Sequence, residues 1–138
     1  MDLDELLKKV KSSGGRITKA RMIILEYLLL CDRPVSAAEI SVFFQKKGIL
    51  PNRTTVYREL LFLVKNGLTR EVRLNGKPSL FELAGEHRHH LICLKCRCIK
   101  PIIMGNHLKN HEKKIMEKEK FRITSHSLEF YGLCEKCQ

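Results

Sequence analysis

The hydrophobic positions at the start of the chain repeat with a helical period, and polar or glycine-containing turns separate the repeats. Residues 3–12 have the spacing of a short amphipathic helix, which the Ser-Ser-Gly-Gly stretch at 12–15 should end. Thr18 is suited to cap a second helix over residues 19–30. This second helix has a broad predicted apolar face, formed by Ile23, Ile24, Tyr27, Leu28 and Leu30.

Two more helices follow after short turns. Ser36 and Glu39 have the spacing of a capping box, which predicts a helix from there to about Lys47, with Gly48 just past its end. The next helix should run from about Arg53 to Asn66 and bury a face made of Val56, Leu60, Leu63 and Val64. Three helices joined by short turns are typical of a helix-turn-helix unit.

The period changes from helical to alternating after Gly67. Residues 68–74 and 79–83 alternate between apolar and polar positions, and Asn75-Gly76 between them is a strong signal for a tight hairpin. A hairpin that follows the third helix of such a unit forms a wing. We therefore predict a winged helix-turn-helix domain over residues 1–83 and a short hinge at 84–86.

The remaining residues, 87–138, should form a smaller domain of mixed structure. Residues 89–93 and 98–103 have strand-like patterns, 106–119 a charged helical pattern, and 121–131 a further strand-like pattern. The predicted fold class is α+β, with an N-terminal winged helix-turn-helix domain and a small C-terminal α/β domain.

The net charge of +11 indicates a polyanionic partner, with nucleic acid first and an anionic membrane second. The excess covers both halves, since residues 1–83 carry 15 Lys/Arg against 9 Asp/Glu and residues 84–138 carry 11 against 6. No apolar run approaches the ~20 residues of a membrane span, and the acidic, amphipathic start is no secretory signal. These observations favour a cytoplasmic protein; a solubilising surface charge is the alternative explanation of the basic excess.

The start of the predicted third helix has the chemistry of a DNA-reading surface. If Val56 and Leu60 are buried, the outward positions are occupied by Arg, Thr and Tyr side chains, which bind phosphates and base edges in the major groove. The candidate DNA-binding residues here are Arg53, Thr54, Thr55, Tyr57 and Arg58. Phosphate contacts are also expected from Arg16, Lys19 and Arg21, and from Arg73 and Lys77 on the wing, although each could be an ordinary surface charge.

Four of the six cysteines form two C-x-x-C pairs, Cys93/Cys96 and Cys134/Cys137. Two such chelating pairs supply the four thiolates of a closed, tetrahedral structural Zn²⁺ site. A redox dithiol and an iron–sulfur cluster are the rival interpretations. Cys98 could compete as a ligand but is expected to pack on a strand, and Cys31 is expected to lie at a helix end as a small hydrophobic residue.

Over residues 14–137 the sequence resembles the ferric uptake regulator (Fur) superfamily of bacterial metal- and peroxide-responsive repressors. The residues that carry the resemblance are Ile17-Thr18-x-x-Arg21, Val35-Ser36-Ala37, Thr55-Val56-Tyr57-Arg58, Phe81-Glu82-Leu83, His89-His90-Leu91-Ile92-Cys93-x-x-Cys96, Ser125-His126-Ser127-Leu128 and Tyr131-Gly132-x-Cys134-x-x-Cys137. The resemblance implies a homodimer held by the C-terminal domain and bound to a palindromic double-stranded DNA operator. It also implies DNA contacts by Tyr57 and Arg58.

The chain departs from the family pattern at the regulatory metal site near the hinge, where members bind Fe²⁺, Mn²⁺, Zn²⁺ or Ni²⁺. Arg33-Pro34 and Arg88 stand where histidine ligands are usual, Pro101 stands in place of an acidic ligand, and only Glu82 and His90 remain. Arginine offers no lone pair to a metal. Two explanations stay open: Arg33 or Arg88 pairs with Glu82 and replaces the cation, or the site is simply lost and the hinge is loose.

A second metal site of the family uses three histidines and a glutamate. The histidines are present as His87, His89 and His126. Lys109 stands near the position of the expected glutamate, but His107, His111 and Glu112 lie within a turn of it, and Glu112 is the candidate acidic ligand. Imidazole ligands favour Zn²⁺, Ni²⁺ or Co²⁺ over harder cations, although Mn²⁺ and Fe²⁺ are also candidates. Histidines that are hydrogen-bonded at a joint between domains are the alternative.

The expected function is therefore that of a DNA-binding repressor with weakened or lost hinge sensing, with no small-molecule substrate and no enzyme activity. Two alternatives in the binding class are a metal-responsive repressor that uses the histidine site and a zinc-stabilised adaptor that binds protein. An enzyme would be a thiol oxidoreductase or a zinc hydrolase. The sequence lacks H-E-x-x-H and the zinc-deaminase pattern, and a four-thiolate zinc has no open position for catalysis.

Overall fold

The computed structural model describes residues 2–74, 78–85, 88–105, 107–124 and 126–138. The chain divides into two compact units, Met1–Gly85 and Glu86–Gln138. The predicted hairpin turn at Asn75-Gly76, Lys77 on the wing and the candidate ligand His87 lie outside the described residues. Helices and strands are present in both units, which confirms the α+β class.

The N-terminal unit contains four helices, α1 (Leu3–Ser12), α2 (Lys19–Leu30), α3 (Ala37–Lys46) and α4 (Arg53–Lys65). The predicted caps are confirmed, because the hydroxyl of Thr18 accepts from the backbone N–H of Arg21, and Ser36 and Glu39 cap each other's N–H groups. Gly48, which follows the last residues of α3, has a φ of +72°, a left-handed conformation that glycine adopts without strain.

Three short strands form an antiparallel sheet beside these helices, β1 (Val35–Ser36), β2 (Thr69–Val72) and β3 (Leu80–Leu83), in the order β1-β3-β2. The β2–β3 pairing places Glu71 opposite Phe81, so the two predicted strands of the wing pair with each other. β1 was not predicted, because two residues are too few to show an alternating pattern.

The main hydrophobic core lies in the N-terminal unit. Val56, Leu60 and Leu63 of α4 are buried as predicted, and they pack with side chains of the other three helices and with Phe81. Leu30, predicted on the apolar face of α2, is instead 72% exposed. It is the last residue of its helix, where the helical face has turned away from the core. The position of α4 is therefore set by a core that all four helices share.

The C-terminal unit contains β4 (Arg88–Cys93), β5 (Ile99–Ile103), α5 (Lys109–Glu119) and β6 (Glu129–Gly132). β4 is central, antiparallel to β5 and parallel to β6. Pro101 lies on the edge strand β5, where a missing N–H is tolerated. The predicted strand over 121–131 is wrong in its extent, because the strand in the structure, β6, begins at Glu129. The helix α5 begins three residues later than predicted.

Few apolar side chains are buried in the C-terminal unit. Among its described residues, the buried hydrophobic side chains are Ile92 and Cys93, and the buried polar ones are His89 and His90. The helix α5 has no buried residue. A small unit with so little core needs another source of stability. None of the described helices, in either unit, is long and apolar enough to cross a membrane.

The packing of α4 can be tested at two adjacent leucines. Leu60 is fully buried, whereas Leu61 is 56% exposed. We expect Leu60→Ala to lower the free energy of unfolding by about 2–5 kcal/mol, because it leaves a cavity in the core. The matched control Leu61→Ala should change it by less than about 0.5 kcal/mol. Urea titrations would measure both; equal effects would contradict the assigned face of α4.

Candidate nucleic-acid interface and metal centre

The N-terminus of α4 presents polar and cationic side chains on an exposed surface. Asn52 caps the helix by accepting a hydrogen bond from the backbone N–H of Thr54 at 3.0 Å. Arg53, Thr54 and Arg58 are exposed, and Thr55 is half-buried. The buried face of the helix holds it against the core, so the opposite face is available to a partner.

Tyr57 is held between the core and solvent. It is 39% exposed, and its ring lies edge-on to the ring of Phe81, with centroids 6.3 Å apart and an interplanar angle of 82°. Phe81 belongs to β3 and is 1% exposed, so it is a fixed support. The direction of the Tyr57 side chain is therefore set by a contact between α4 and β3.

The three cations predicted before and within α2 fall into two groups. Arg16 and Lys19 are exposed. Arg21 is not free to contact a phosphate: its side chain is 12% exposed, and its Nε donates to Oε2 of Glu59 at 2.6 Å. Sequence reasoning missed Glu59. The signal in the sequence was that Glu59 lies on the same helical face as the buried apolar residues of α4. An acidic side chain on a buried face needs a cation as its partner.

Of the two cations predicted on the wing, Arg73 is the one that lies within the described residues. Arg73 is 80% exposed and its guanidinium lies 3.0 Å from Glu71. The hydrogen bond from Arg73, followed by one from Ser79, lowers the pKa of Glu71. Such an exposed ion pair contributes little to stability and can rearrange when an anion approaches.

The four predicted zinc ligands meet in the C-terminal unit. β4 ends at Cys93, and its parallel pairing with β6 places Cys93 opposite Gly132, so the two C-x-x-C turns leave the sheet at the same edge. The ligand atoms of Cys93, Cys96, Cys134 and Cys137 all lie within 4.8 Å of one another. This cluster is the one group of candidate metal ligands found among the described residues. The donor set fits a structural zinc ion.

Backbone N–H groups around the cluster favour thiolates. The N–H groups of Cys134 and Cys96 each lie 3.5 Å from the sulfur of Cys93, and these bonds lower the pKa of Cys93 to about 5. The pKa of Cys96 is lowered mainly by the backbone N–H of Cys98. Hydrogen bonding to Cys134, followed by burial, raises the pKa of Cys137 to about 12. Zinc binding must therefore displace protons, so the affinity for zinc should rise with pH.

The two remaining cysteines lie outside this set of four. Cys98 precedes β5, and a hydrogen bond to Cys96 raises its pKa to about 11. Cys31 caps the C-terminal end of α2 and packs against the main core, as predicted. Burial is the largest cause of the raised pKa of the Cys31 thiol.

The residues of the second predicted metal site come together only in part. Nδ1 of His126 lies 2.5 Å from Oε1 of Glu112, and the ring centroids of His126 and His89 are 5.6 Å apart. Glu112 is thus the acidic residue of α5 that contacts His126. His87 lies outside the described residues.

Glu82 is paired with a cation that was not predicted. Its Oε1 accepts from Nε of Arg70 at 2.6 Å, and the Glu82 side chain is 5% exposed. Arg33 was one of two candidates for this pairing, but its guanidinium binds Glu39 and the carbonyl of Pro34 instead. The register explains the difference, because antiparallel pairing of β2 and β3 places Arg70 directly opposite Glu82. The pairing of Arg88 with Glu82 stays a prediction.

Comparison with known proteins agrees with this architecture. The sequence model of the ferric uptake regulator family matches residues 12–131. A ferric uptake regulation protein from Legionella pneumophila is 32% identical over 133 residues, covering 95% of this chain and 97% of that protein. The peroxide operon regulator of Bacillus subtilis is 31% identical over 138 residues, covering 99% and 93%.

Solved structures share the fold. The ferric uptake regulator of Helicobacter pylori superposes with a TM-score of 0.80 at 24% identity, over 99% of this chain and 94% of the other. That of Vibrio cholerae has a TM-score of 0.73 at 30% identity, over 93% and 98%. The chain belongs to the ferric uptake regulator family, a family of DNA-binding transcription regulators rather than enzymes.

The zinc assignment predicts different roles for neighbouring cysteines. Cys96→Ser should abolish stoichiometric zinc and unfold the C-terminal unit, because binding a structural zinc contributes about 10–16 kcal/mol to folding. Cys98→Ser is the matched control and should retain one zinc per chain. Metal analysis and circular dichroism measure both. If Cys96→Ser retained zinc and Cys98→Ser lost it, Cys98 and not Cys96 would be the zinc ligand.

Proposed function

We propose that this protein is a sequence-specific repressor that binds a palindromic double-stranded DNA operator as a homodimer, with metal sensing at the hinge weakened or lost. The observation that carries the proposal is the amphipathic division of α4. Val56 and Leu60 lock the helix into the core, while Arg53, Tyr57 and Arg58 face outward from its N-terminal turns. This is the arrangement that places base-reading side chains in the major groove.

The exposed cations near α4 support a duplex as the partner. Arg16 and Lys19 are exposed in the same unit, next to the start of α2. Side chains of this kind neutralise phosphates and add affinity that depends on salt concentration but carries no sequence information. Base reading is assigned to Arg58, Tyr57 and Arg53, and phosphate binding to Arg16 and Lys19.

Exposed apolar side chains in the C-terminal unit support a homodimer. Phe121 and Ile103 are each 65% exposed, and α5 together with residues 121–124 and His126 borders an open cavity of about 530 Å³. Other exposed apolar residues of this unit are Leu91, Leu94, Ile115, Met116, Phe130, Tyr131 and Leu133. A unit with little internal core and so much exposed apolar surface is suited to burial against a second copy.

The hinge residues do not fit a regulatory metal ion. Glu82 already has a buried ion pair with Arg70, and Arg33 and Arg88 offer no lone pair to a metal. A divalent cation would have to displace Arg70 from a carboxylate that is 5% exposed. We infer that Arg70 supplies at this carboxylate the positive charge that a metal supplies in other members of the family, so the hinge does not need one.

A metal-responsive repressor that uses the histidine site is the second candidate function. It is favoured by the approach of His126 to Glu112 and of the His89 ring to that of His126. In this case a soft divalent cation such as Zn²⁺ would change operator affinity, and His126→Ala would remove the response.

The DNA interface can be tested with two cations of α4, one in its N-terminal half and one at its last residue. We expect Arg58→Ala to weaken binding to a selected operator by about 1–3 kcal/mol, roughly 5- to 150-fold in Kd, because it removes a base-edge or phosphate contact. Lys65→Ala removes the same charge from the last turn of the helix and should change Kd by less than about threefold. Fluorescence anisotropy after operator selection measures both.

Salt dependence separates this function from protein binding. For the wild type, log K should fall linearly with log [salt], with a slope of about −0.9 for each phosphate contacted. A salt-independent interaction, or equal losses in the Arg58 and Lys65 variants, would contradict the proposed interface.

Metal independence at the hinge is a separate prediction. With structural zinc retained, Mn²⁺ should change the operator Kd by less than about threefold. A metal alters DNA affinity only if its binding is coupled to DNA binding, and we expect no metal to bind at the hinge. Glu82→Gln should leave this insensitivity unchanged. A Mn²⁺-dependent increase in affinity that Glu82→Gln abolishes would show that the hinge site is functional; one that only His126→Ala abolishes would favour the second candidate.

A further inference from the structure

The side chain of Arg21 joins three segments of the N-terminal unit. Its Nε donates to Glu59 of α4 at 2.6 Å, and its Nη1 donates to the backbone carbonyl of Arg16 at 2.6 Å. Its guanidinium carbon lies 3.6 Å from the ring centroid of Phe62. The side chains of Arg21 and Glu59 are 12% and 11% exposed, so this is a nearly buried ion pair.

The surrounding residues are arranged for this contact. Glu59 and Phe62 are three residues apart on α4 and so lie on one face of that helix. A Cβ atom at Gly15 would lie only 2.5 Å from Cζ of Phe62, so a side chain at position 15 would displace the ring on which Arg21 rests. The next residue, Arg16, accepts the Nη1 hydrogen bond through its carbonyl.

We propose that Arg21 is a positioning residue for DNA binding, which holds the segment bearing Arg16 and Lys19 in register with the recognition helix α4. The inference rests on the function proposed above. Arg21 does not itself contact the duplex, since its Nε and Nη1 donate within the protein and one face of its guanidinium is covered by Phe62. Its planar, forked group makes these three contacts at once, which an ammonium group cannot do.

Two substitutions distinguish positioning from direct phosphate contact. Arg21→Lys keeps the positive charge but loses the fork, and we expect it to weaken binding to the duplex selected by the wild type about tenfold. Glu59→Gln removes a negative charge, which by charge alone should strengthen DNA binding. If Glu59 holds Arg21 in place, this variant should instead weaken binding about fivefold or more.

The Lys47–Glu26 ion pair provides a matched control. Lys47 lies 2.8 Å from Glu26 and 5.2 Å from the ring centroid of Phe43, but the pair is about one-third exposed and does not include α4. We expect Lys47→Met and Glu26→Gln to change Kd by no more than about twofold. We would measure thermal melts of all variants and determine each affinity well below the melting temperature. A weaker affinity under those conditions reflects a displaced DNA-binding surface and not a loss of folded protein.

The salt dependence of binding gives a second readout that unfolding does not change. Three results together would show that Arg21 contacts a phosphate directly. Arg21→Lys would bind like the wild type, and Glu59→Gln would bind more tightly. Arg21→Met would reduce the magnitude of the slope of log K against log [salt] by about 0.9. That result would overturn the positioning role of Arg21 but not the proposed DNA binding. Wild-type affinity in both Arg21→Lys and Glu59→Gln would do the same. Absence of salt-dependent duplex binding by the wild type would overturn the proposed function and this inference together.

Discussion

The C-terminal unit depends on its four thiolates because it buries so little apolar surface. Among its described residues only Ile92 and Cys93 are buried hydrophobic side chains, whereas the N-terminal unit has a core shared by four helices and a sheet. The parallel pairing of β4 with β6 brings both C-x-x-C turns to one edge of the sheet. A zinc ion bound there would link the end of the chain to β4 and supply the stability that packing does not.

In the N-terminal unit the buried charges are paired, and both pairs involve arginine. Arg21–Glu59 joins the start of α2 to α4, and Arg70–Glu82 joins β2 to β3. Removing one member of such a pair leaves a buried charge without compensation, which is more costly than the pair is stabilising. Each pair therefore acts as a constraint on geometry, one at the proposed DNA-binding surface and the other at Glu82, a carboxylate of the predicted hinge metal site.

Local signals predicted the helices of the N-terminal unit well because each of them has a side-chain cap and a periodic buried face. Thr18, Ser36 with Glu39, and the alternation around residues 68–74 indicated the helix starts and the wing before any packing was known. The strand β6 was predicted too long because the apolar residues at 121–128 resemble a strand, while the strand that pairs with β4 begins at Glu129. Strand extent depends on pairing, which lies outside the local pattern.

The sequence by itself determined the helical skeleton, the two C-x-x-C pairs and the cationic start of α4, because caps, C-x-x-C spacing and helical periodicity are local properties. The tertiary structure alone decided which cation meets which carboxylate. Arg21 and Arg33 look alike in the sequence as exposed basic residues, yet one is enclosed by Glu59 and Phe62 while the other binds Glu39 near the surface. Arg21 and Glu59 are 38 residues apart along the chain, so only the packing of α2 against α4 could bring them together.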